Sequence, residues 1–445
     1  MPRYLSKLSS AVLAFSLSSV VFAYAEPPSD PTVNGPTKLL AHRALTADKA
    51  ESVKAINELR SMGTEGLRAF LETNRSEIDA AVSIPGEPGN RVLEALDSLC
   101  QQKDCYASQL YWYTDLEQAK KTARAQHKPI LSLRMLGRLD EDLSCANSRL
   151  FRITLYANEQ VSNLLRDQFV LHWQSVRSVP KVTIDFGDGR RMERTLTGNS
   201  VHLVLDAEGR FVDALPGLYG PGAFLSELKR LLPVASFLEM LNTDNARTTA
   251  LRQYHEGRLS ETENSWINDV RRAGLLVAPS REIPIAPGPG SSPPSAQRAA
   301  PVAVTKAVSI ERPILKGMSG NPTLSDSIAS DAGWSAIARL HILETNIDPS
   351  TQALMTFKDP TLTGGNLQLA TIALRKAIAE DTVRNEYIYR ARIHSWLASG
   401  RVNLDVEGLT EKIYAELFLT PSWDAWLGLR PSGAYSGIDR DGLRK

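Results

Sequence analysis

Between residues 110 and 232 the spacing of apolar residues switches repeatedly between a helical and a strand period, and this alternation constrains the fold more than any other feature of the chain. Residues 116–126 read as a helix, and Pro129-Ile130-Leu131-Ser132-Leu133 as a buried strand. Residues 145–155 and 161–165 read as helical, with Phe169-Val170-Leu171-His172-Trp173 as the next strand. A hairpin is expected over 181–196, turning at Gly187-Asp188-Gly189. A second pairs 201–205 with 211–215 through Asp206-Ala207-Glu208-Gly209. A helix over 221–232 closes the unit. Strands alternating with helices, then an antiparallel hairpin and a helix, predict an α/β sandwich around a mixed sheet.

Helical regions flank this unit on both sides. Ala50, Val53, Ile56 and Leu59 recur at near-helical spacing, with Gly63 placed to stop the helix. Thr64 can cap the next helix, which buries Leu67, Phe70 and Leu71. A loop, Pro85-Gly86-Glu87-Pro88-Gly89, separates these from a third helix over 92–99. So short a helical pair cannot bury its own apolar face and is expected to dock on the neighbouring domain. The expected organisation is a Pro-rich leader and helical region over 26–105, the α/β domain over 106–232 and a helical extension over 233–283. A Pro/Gly/Ser/Ala-rich linker follows over 284–325, then a small helical domain over 326–430 and a tail over 431–445. Within the small domain, helices are expected over 367–397 and 406–419, ended near Gly400 and Pro421.

The first 25 residues carry the pattern of a cleavable signal peptide. Arg3 and Lys7 precede an apolar run over 11–22, and Ala23-Tyr24-Ala25 supplies the small-x-small cleavage site before Glu26. The expected location is therefore periplasmic or secreted. The apolar run falls short of the roughly 20 residues of a membrane span, and no later segment is long and apolar enough for one. Lys plus Arg number 51 against 50 for Asp plus Glu, so no global field recruits nucleic acid or anionic lipid. Three cysteines, Cys100, Cys105 and Cys145, then sit in an export context where disulfides persist.

The segment Leu116-Glu117-Gln118-Ala119, followed by Lys128-Pro129-Ile130-Leu131 and by Cys145-Ala146-Asn147-Ser148, resembles the thioredoxin-like family. Phe151, Asn158, Val161, Leu164-Leu165 and Phe169-Val170 continue the resemblance, which covers roughly residues 110–232. It implies a thioredoxin-like mixed-sheet sandwich in which Cys145 opens a helix as the active cysteine. Ser148 stands where the family has its second cysteine, and Gly198-Asn199-Ser200-Val201 stands where it has a cis-proline. The loop over 134–144 is long and holds Asp140, Glu141 and Asp142. A thiolate at a helix start meets unsatisfied N–H groups and the positive end of the dipole. With Ser148 in place of a resolving thiol, the chemistry implied is single-thiol exchange or isomerisation with the thiols or disulfides of envelope proteins. The alternative is a non-catalytic scaffold whose helical arms bind a protein partner. Neither reading requires a cofactor or metal.

Cys100 and Cys105 are expected to form a structural disulfide, with the alternative that they serve Cys145 as a redox pair. Asp185-Phe186-Gly187 is expected to be a hairpin turn, and Asp185 with Asp188 lacks the rest of a calcium loop. His172 and His202 fall on strands that the second strand would separate in a thioredoxin-like sheet; they are expected to be satisfied, half-buried histidines, and no Cys/His spacing suggests zinc. Asp381, Arg384, Asn385, Glu386 and Arg390 have intrahelical pair spacing and are expected to form a solvated, salt-bridged face, with Tyr387, Tyr389 and Trp396 nearby. Trp423, Trp426 and Leu429 are expected to pack back on that domain.

Overall fold

The core of the molecule is a five-stranded sheet in the order β1-β3-β2-β6-β7, seen in a computed structural model that describes residues 35–84, 90–195, 199–283, 325–400, 405–427 and 437–439. The expected signal peptide and all but the last residue of the expected linker lie outside the described residues. The strands are β1 (Trp112–Tyr113), β2 (Ile130–Leu136), β3 (Val170–Arg177), β6 (Val201–Leu205) and β7 (Phe211–Pro216). β1, β3 and β2 run parallel, while β2–β6 and β6–β7 are antiparallel. This is a mixed α/β architecture. β2 is buried along its whole length, because it lies in the middle of the sheet with helices over its faces. The hairpin expected over 181–196 forms as β4 (Lys181–Asp185) and β5 (Arg191–Thr195), yet it stands apart as a two-stranded sheet. Its residues are mostly polar and exposed, so it offers the main sheet no face to bury.

The helices of this unit begin where their caps dictate. Asp115 accepts from the N–H groups of Glu117 and Gln118 to open α7 (Leu116–Gln126). Asn158 caps α9 (Glu159–Gln168) in the same manner. Between them, α8 (Ala146–Leu150) runs into a π-helical turn over Phe151–Tyr156. The closing helix, α10 (Pro221–Glu239), runs past its expected end through Pro233. Proline inside a helix costs about 3 kcal/mol. Here Leu228, Leu231, Ala235 and Leu238 continue one buried face across it, which offsets that cost.

The N-terminal helices are α1 (Gly35–Arg43), α2 (Lys49–Ser61), α3 (Thr64–Thr73), α4 (Arg75–Val82), α5 (Arg91–Cys100) and α6 (Cys105–Ser108). They enclose a core of their own around Leu59, Phe70, Leu96, Leu99, Cys100 and Cys105. They dock on the sheet as expected: Arg60 donates to Trp112 O at 3.1 Å, and Tyr111 donates to Arg60 O at 2.8 Å.

The C-terminal helices share the sheet's core. After α11 (Asp244–Arg272) come α12 (Ser325–Leu340), a 3-10 turn over Ile342–Thr345, α13 (Pro349–Lys358), α14 (Gly364–Arg384), α15 (Ala391–Ala398) and α16 (Val406–Lys412). A π-helical turn over Asn385–Arg390 joins α14 to α15, and another over Ile413–Leu417 extends α16. Trp334, Tyr387, Ile393, Leu409 and Tyr414 belong to the same apolar cluster as Leu133, Val204 and Phe224. Of the expected aromatic anchors, Trp426 remains 41% exposed, and Leu427 beside it is buried instead. Leu429 lies outside the described residues. Among the described residues, no helix is long and apolar enough to cross a membrane.

Candidate functional site

Cys145 sits where the loop after β2 turns into α8. Its N–H bonds back to Leu136 O at 3.3 Å, and it is the residue immediately before the helix. Its sulfur lies 3.1 Å from Ser200 Oγ and 3.5 Å from Ser148 Oγ. Ser148 Oγ in turn lies 2.7 Å from Ser144 Oγ and 2.9 Å from Cys145 O. Ser200, just before β6, is thus brought opposite the thiol, and Ser148 is one turn along from it. Asn199 completes the floor: its Oδ1 accepts from Ser200 N at 2.9 Å and from the Asn147 amide.

This site is closed. Cys145 is 0% exposed, and Ser144, Asn147, Ser148, Asn199 and Ser200 are equally buried. Part of the cover comes from the far end of the chain. Tyr414, in the π-helical turn after α16, donates to Asn199 O at 2.9 Å and is itself fully buried. Burial pushes its phenol well above the ordinary range, as it does that of Tyr156 on the same core. One buried and one half-buried arginine fasten this arm to the sheet. Arg134 on β2 pairs with Glu407 at 2.9 Å, and Arg177 on β3 donates to Pro421 O at 3.0 Å and to Thr420 O. The acidic loop engages cations: Asp140 binds Arg138 at 2.6 Å, and Asp142 faces Lys358 at 3.5 Å.

Cys100 and Cys105 are disulfide-bonded with their Cα atoms 6.3 Å apart, and Cys145 is a free thiol. The bond lies in the N-terminal helical core, whereas Cys145 belongs to the core of the sheet. The structure therefore does not bring the pair to Cys145.

The two strand histidines are separated by β2, as expected. His172 Nδ1 bonds Ser132 Oγ at 2.8 Å, and His202 Nε2 bonds Tyr156 OH at 2.7 Å. Burial lowers both to about 3, so both are neutral near pH 7.

A second polar centre escaped the sequence reading. The face expected to be solvated is buried: Asp381, Arg384, Asn385, Tyr387, Tyr389 and Arg390 all lie inside, because α11, α10 and β7 cover that side of the helix. Arg390 is the hub. It binds Asp213 Oδ2 on β7 at 2.8 Å, Glu227 on α10 at 2.8 Å and Glu386 at 3.2 Å. Arg258 on α11 adds bonds to Glu227 at 3.1 Å and Glu386 at 3.4 Å. Burial alone would raise the Asp213 carboxyl, but Arg390, His394 and His255 together hold it below the usual carboxylate range. Burial lowers His255 to about 4 and holds His394 well below its ordinary value, against the pull of Asp213. A cavity of about 320 Å³ adjoins this centre, lined by Tyr219, Glu227, Arg258, His341, Glu344 and Glu386. Two signals in the sequence point here. Glu386, Arg390 and His394 repeat every four residues on one helix face, and Asp213 interrupts an otherwise apolar strand.

Among the described residues, three π-helical turns lie at these two centres. Phe151–Tyr156 follows Cys145, Ile413–Leu417 covers it, and Asn385–Arg390 carries the arginine hub. Such turns concentrate where a helix must re-aim side chains. Compared with family models, curated proteins and solved structures, the chain matches none.

Proposed function

We propose that this chain is an exported thioredoxin-like protein in which the fold acts as a scaffold and Cys145 is a structural thiol. The observation that carries this is the complete burial of Cys145 beneath Tyr414 of the chain's own C-terminal arm. Thiol–disulfide exchange requires a partner sulfur to reach the thiolate, and among the described residues this one is fully covered. The hydrogen bonds suit a neutral thiol: its S–H points to Ser148 Oγ, while the Ser200 hydroxyl can donate to the sulfur. The thioredoxin-like part of the reading is supported by the parallel β1-β3-β2 set joined to an antiparallel β6–β7 hairpin. It is also supported by the cysteine at the start of the helix after β2 and by Ser200 opposite it. The N- and C-terminal helices are then the arms that contact a protein partner in the cell envelope.

One observation favours the rival reading, single-thiol exchange through Cys145 with Ser148 in support. The thiol is free and its hydroxyl neighbours are pre-positioned. That reading needs the arm over residues 405–427 to leave. Trapping of a mixed disulfide on the native full chain with a small-molecule disulfide separates the two. The scaffold reading expects no adduct on the parent protein and no change in fold for Cys145→Ser. Rapid adduct formation that Cys145→Ser abolishes would establish the rival.

A further inference from the structure

We propose that Asp213, His255 and His394 form a buried structural site for a divalent transition metal of the zinc class. The three residues come from β7, α11 and α15, and their ligand atoms all lie within 4.8 Å of one another. All three are fully buried. His255 Nδ1 and His394 Nδ1 are 2.9 Å apart, and Asp213 Oδ1 is 4.0 Å from His394 Nδ1. A tetrahedral ion with metal–ligand bonds of ~2.0–2.1 Å places its ligand atoms about 3.3 Å apart. The two histidine nitrogens lie slightly closer than that value and Asp213 Oδ1 slightly farther, with all three ligand atoms within 4.8 Å of one another, so a modest side-chain adjustment seats an ion between them.

The surrounding bonds are those that orient metal ligands. His255 Nε2 faces the carbonyl of Val212 at 3.2 Å. A carbonyl only accepts, so the proton is on Nε2, and Nδ1 presents a lone pair to the centre. Asp213 Oδ2 is held from outside by Arg390 and by Tyr254 OH, each at 2.8 Å, which turns Oδ1 inward. Such outer partners fix the ligand's orientation. Oδ1 accepts one bond, from Ala214 N at 2.7 Å, and keeps a further lone pair.

Without an ion, the centre is short of protons. Two acceptor atoms, His255 Nδ1 and Asp213 Oδ1, converge on the single donor His394 Nδ1. The one proton on His394 Nδ1 serves only one of its two neighbours. Among the described residues, His394 Nε2 has no hydrogen-bond partner. The neighbourhood is also short of positive charge. Asp213, Glu227, Glu386 and Glu261 are four carboxylates bridged by the three guanidiniums of Arg390, Arg258 and Arg230. Arg390 beside Asp213 does not repel an ion decisively, because Glu227 and Glu386 neutralise it from behind. Neither histidine lines the adjoining cavity, so the ion would tie the sheet to α11 and α15 rather than meet a substrate. Three protein ligands leave a fourth position to water.

The test is cobalt titration of tag-free, chelator-stripped full-length protein, followed by visible absorption and by elemental analysis of the protein as isolated. The expected result is one equivalent of Co²⁺ per chain, with the d–d bands of a tetrahedral nitrogen/oxygen site, displaced by Zn²⁺. His394→Gln and Asp213→Asn should each weaken binding at least tenfold, and Zn²⁺ should raise the melting temperature of the parent but not of His255→Gln. Absence of stoichiometric metal in the parent overturns the proposal, whatever the variants do. So does binding that survives His255→Gln/His394→Gln, or a thiolate-to-cobalt charge-transfer band, which would put the metal on Cys145.

Discussion

Replacing Arg390 by Met should destabilise the protein more than any surface change, and the size of the loss follows from the geometry. Arg390 is fully buried and is the shared partner of Asp213, Glu227 and Glu386. Methionine fills much of the volume but leaves a carboxylate, Asp213, deep in the protein without its cation. Removing one partner of a buried ion pair costs about 3–5 kcal/mol, chiefly from the charge left behind. Arg258 compensates Glu227 and Glu386 in part, but it makes no bond to Asp213. At about 2–4 °C per kcal/mol for a unit of 150–250 residues, the melting temperature should fall by roughly 6–20 °C. The assay is urea and thermal denaturation with chelator present, so that only the chain's own charges are compared. Arg390→Met/Asp213→Asn should be less destabilised than the two single losses summed, since the orphaned charge is then gone. A loss below about 1 kcal/mol for Arg390→Met, or strict additivity in the double variant, would refute the reasoning.

Two further predictions concern other bonds. His341 binds Asp269 at 2.7 Å and Glu344 at 2.8 Å; burial opposes its charge, but these partners raise it to about 9. A raised pKa stabilises the fold fully below the unfolded value of ~6.5 and ceases to do so as pH climbs towards 9, with at most about 3 kcal/mol at stake. Stability of the parent should therefore decline between pH 6.5 and 9 more steeply than that of His341→Gln, and parallel curves would contradict the assignment. Peptide mapping without reductant should link Cys100 to Cys105 and leave Cys145 free; Cys100→Ser/Cys105→Ser should cost about 2 kcal/mol for so short a loop, and a bridge from Cys145 to either would disprove the arrangement.

The strands and turns of the sheet were readable because their signals are local. Pro129-Ile130-Leu131-Ser132-Leu133 and Phe169-Val170-Leu171-His172-Trp173 are apolar runs too short for helices, and both lie in parallel strands that helices cover. Asp206-Ala207-Glu208-Gly209 turns because Asp206 accepts from the N–H groups of Glu208 and Arg210, and Gly209 takes a positive φ of 79°. α13 passed unread although its start is spelled out: Asp348 accepts from Thr351 N at 2.9 Å, and Pro349 fills the first turn. The burial of Arg384, Asn385 and Arg390 was not readable. Spacing shows which residues share a helix face, but not that β7, α10 and α11 cover it. The lid on Cys145 is hidden for the same reason. Nothing near Cys145 in sequence announces Tyr414, and only the folded chain brings α16 across the end of β2.

The measurement that bears most directly on the scaffold reading is the labelling rate of Cys145 in the native protein. An alkylating reagent at neutral pH is applied to the folded chain, to Tyr414→Ala and to the chain in guanidinium. Opening a fully buried site costs free energy, so native labelling should trail the unfolded rate by a factor of 10³ or more if the cost exceeds ~4 kcal/mol. Tyr414→Ala should shorten that gap by at least tenfold. Labelling of the native parent at the rate of an exposed thiol would contradict the account and make Cys145 a working nucleophile.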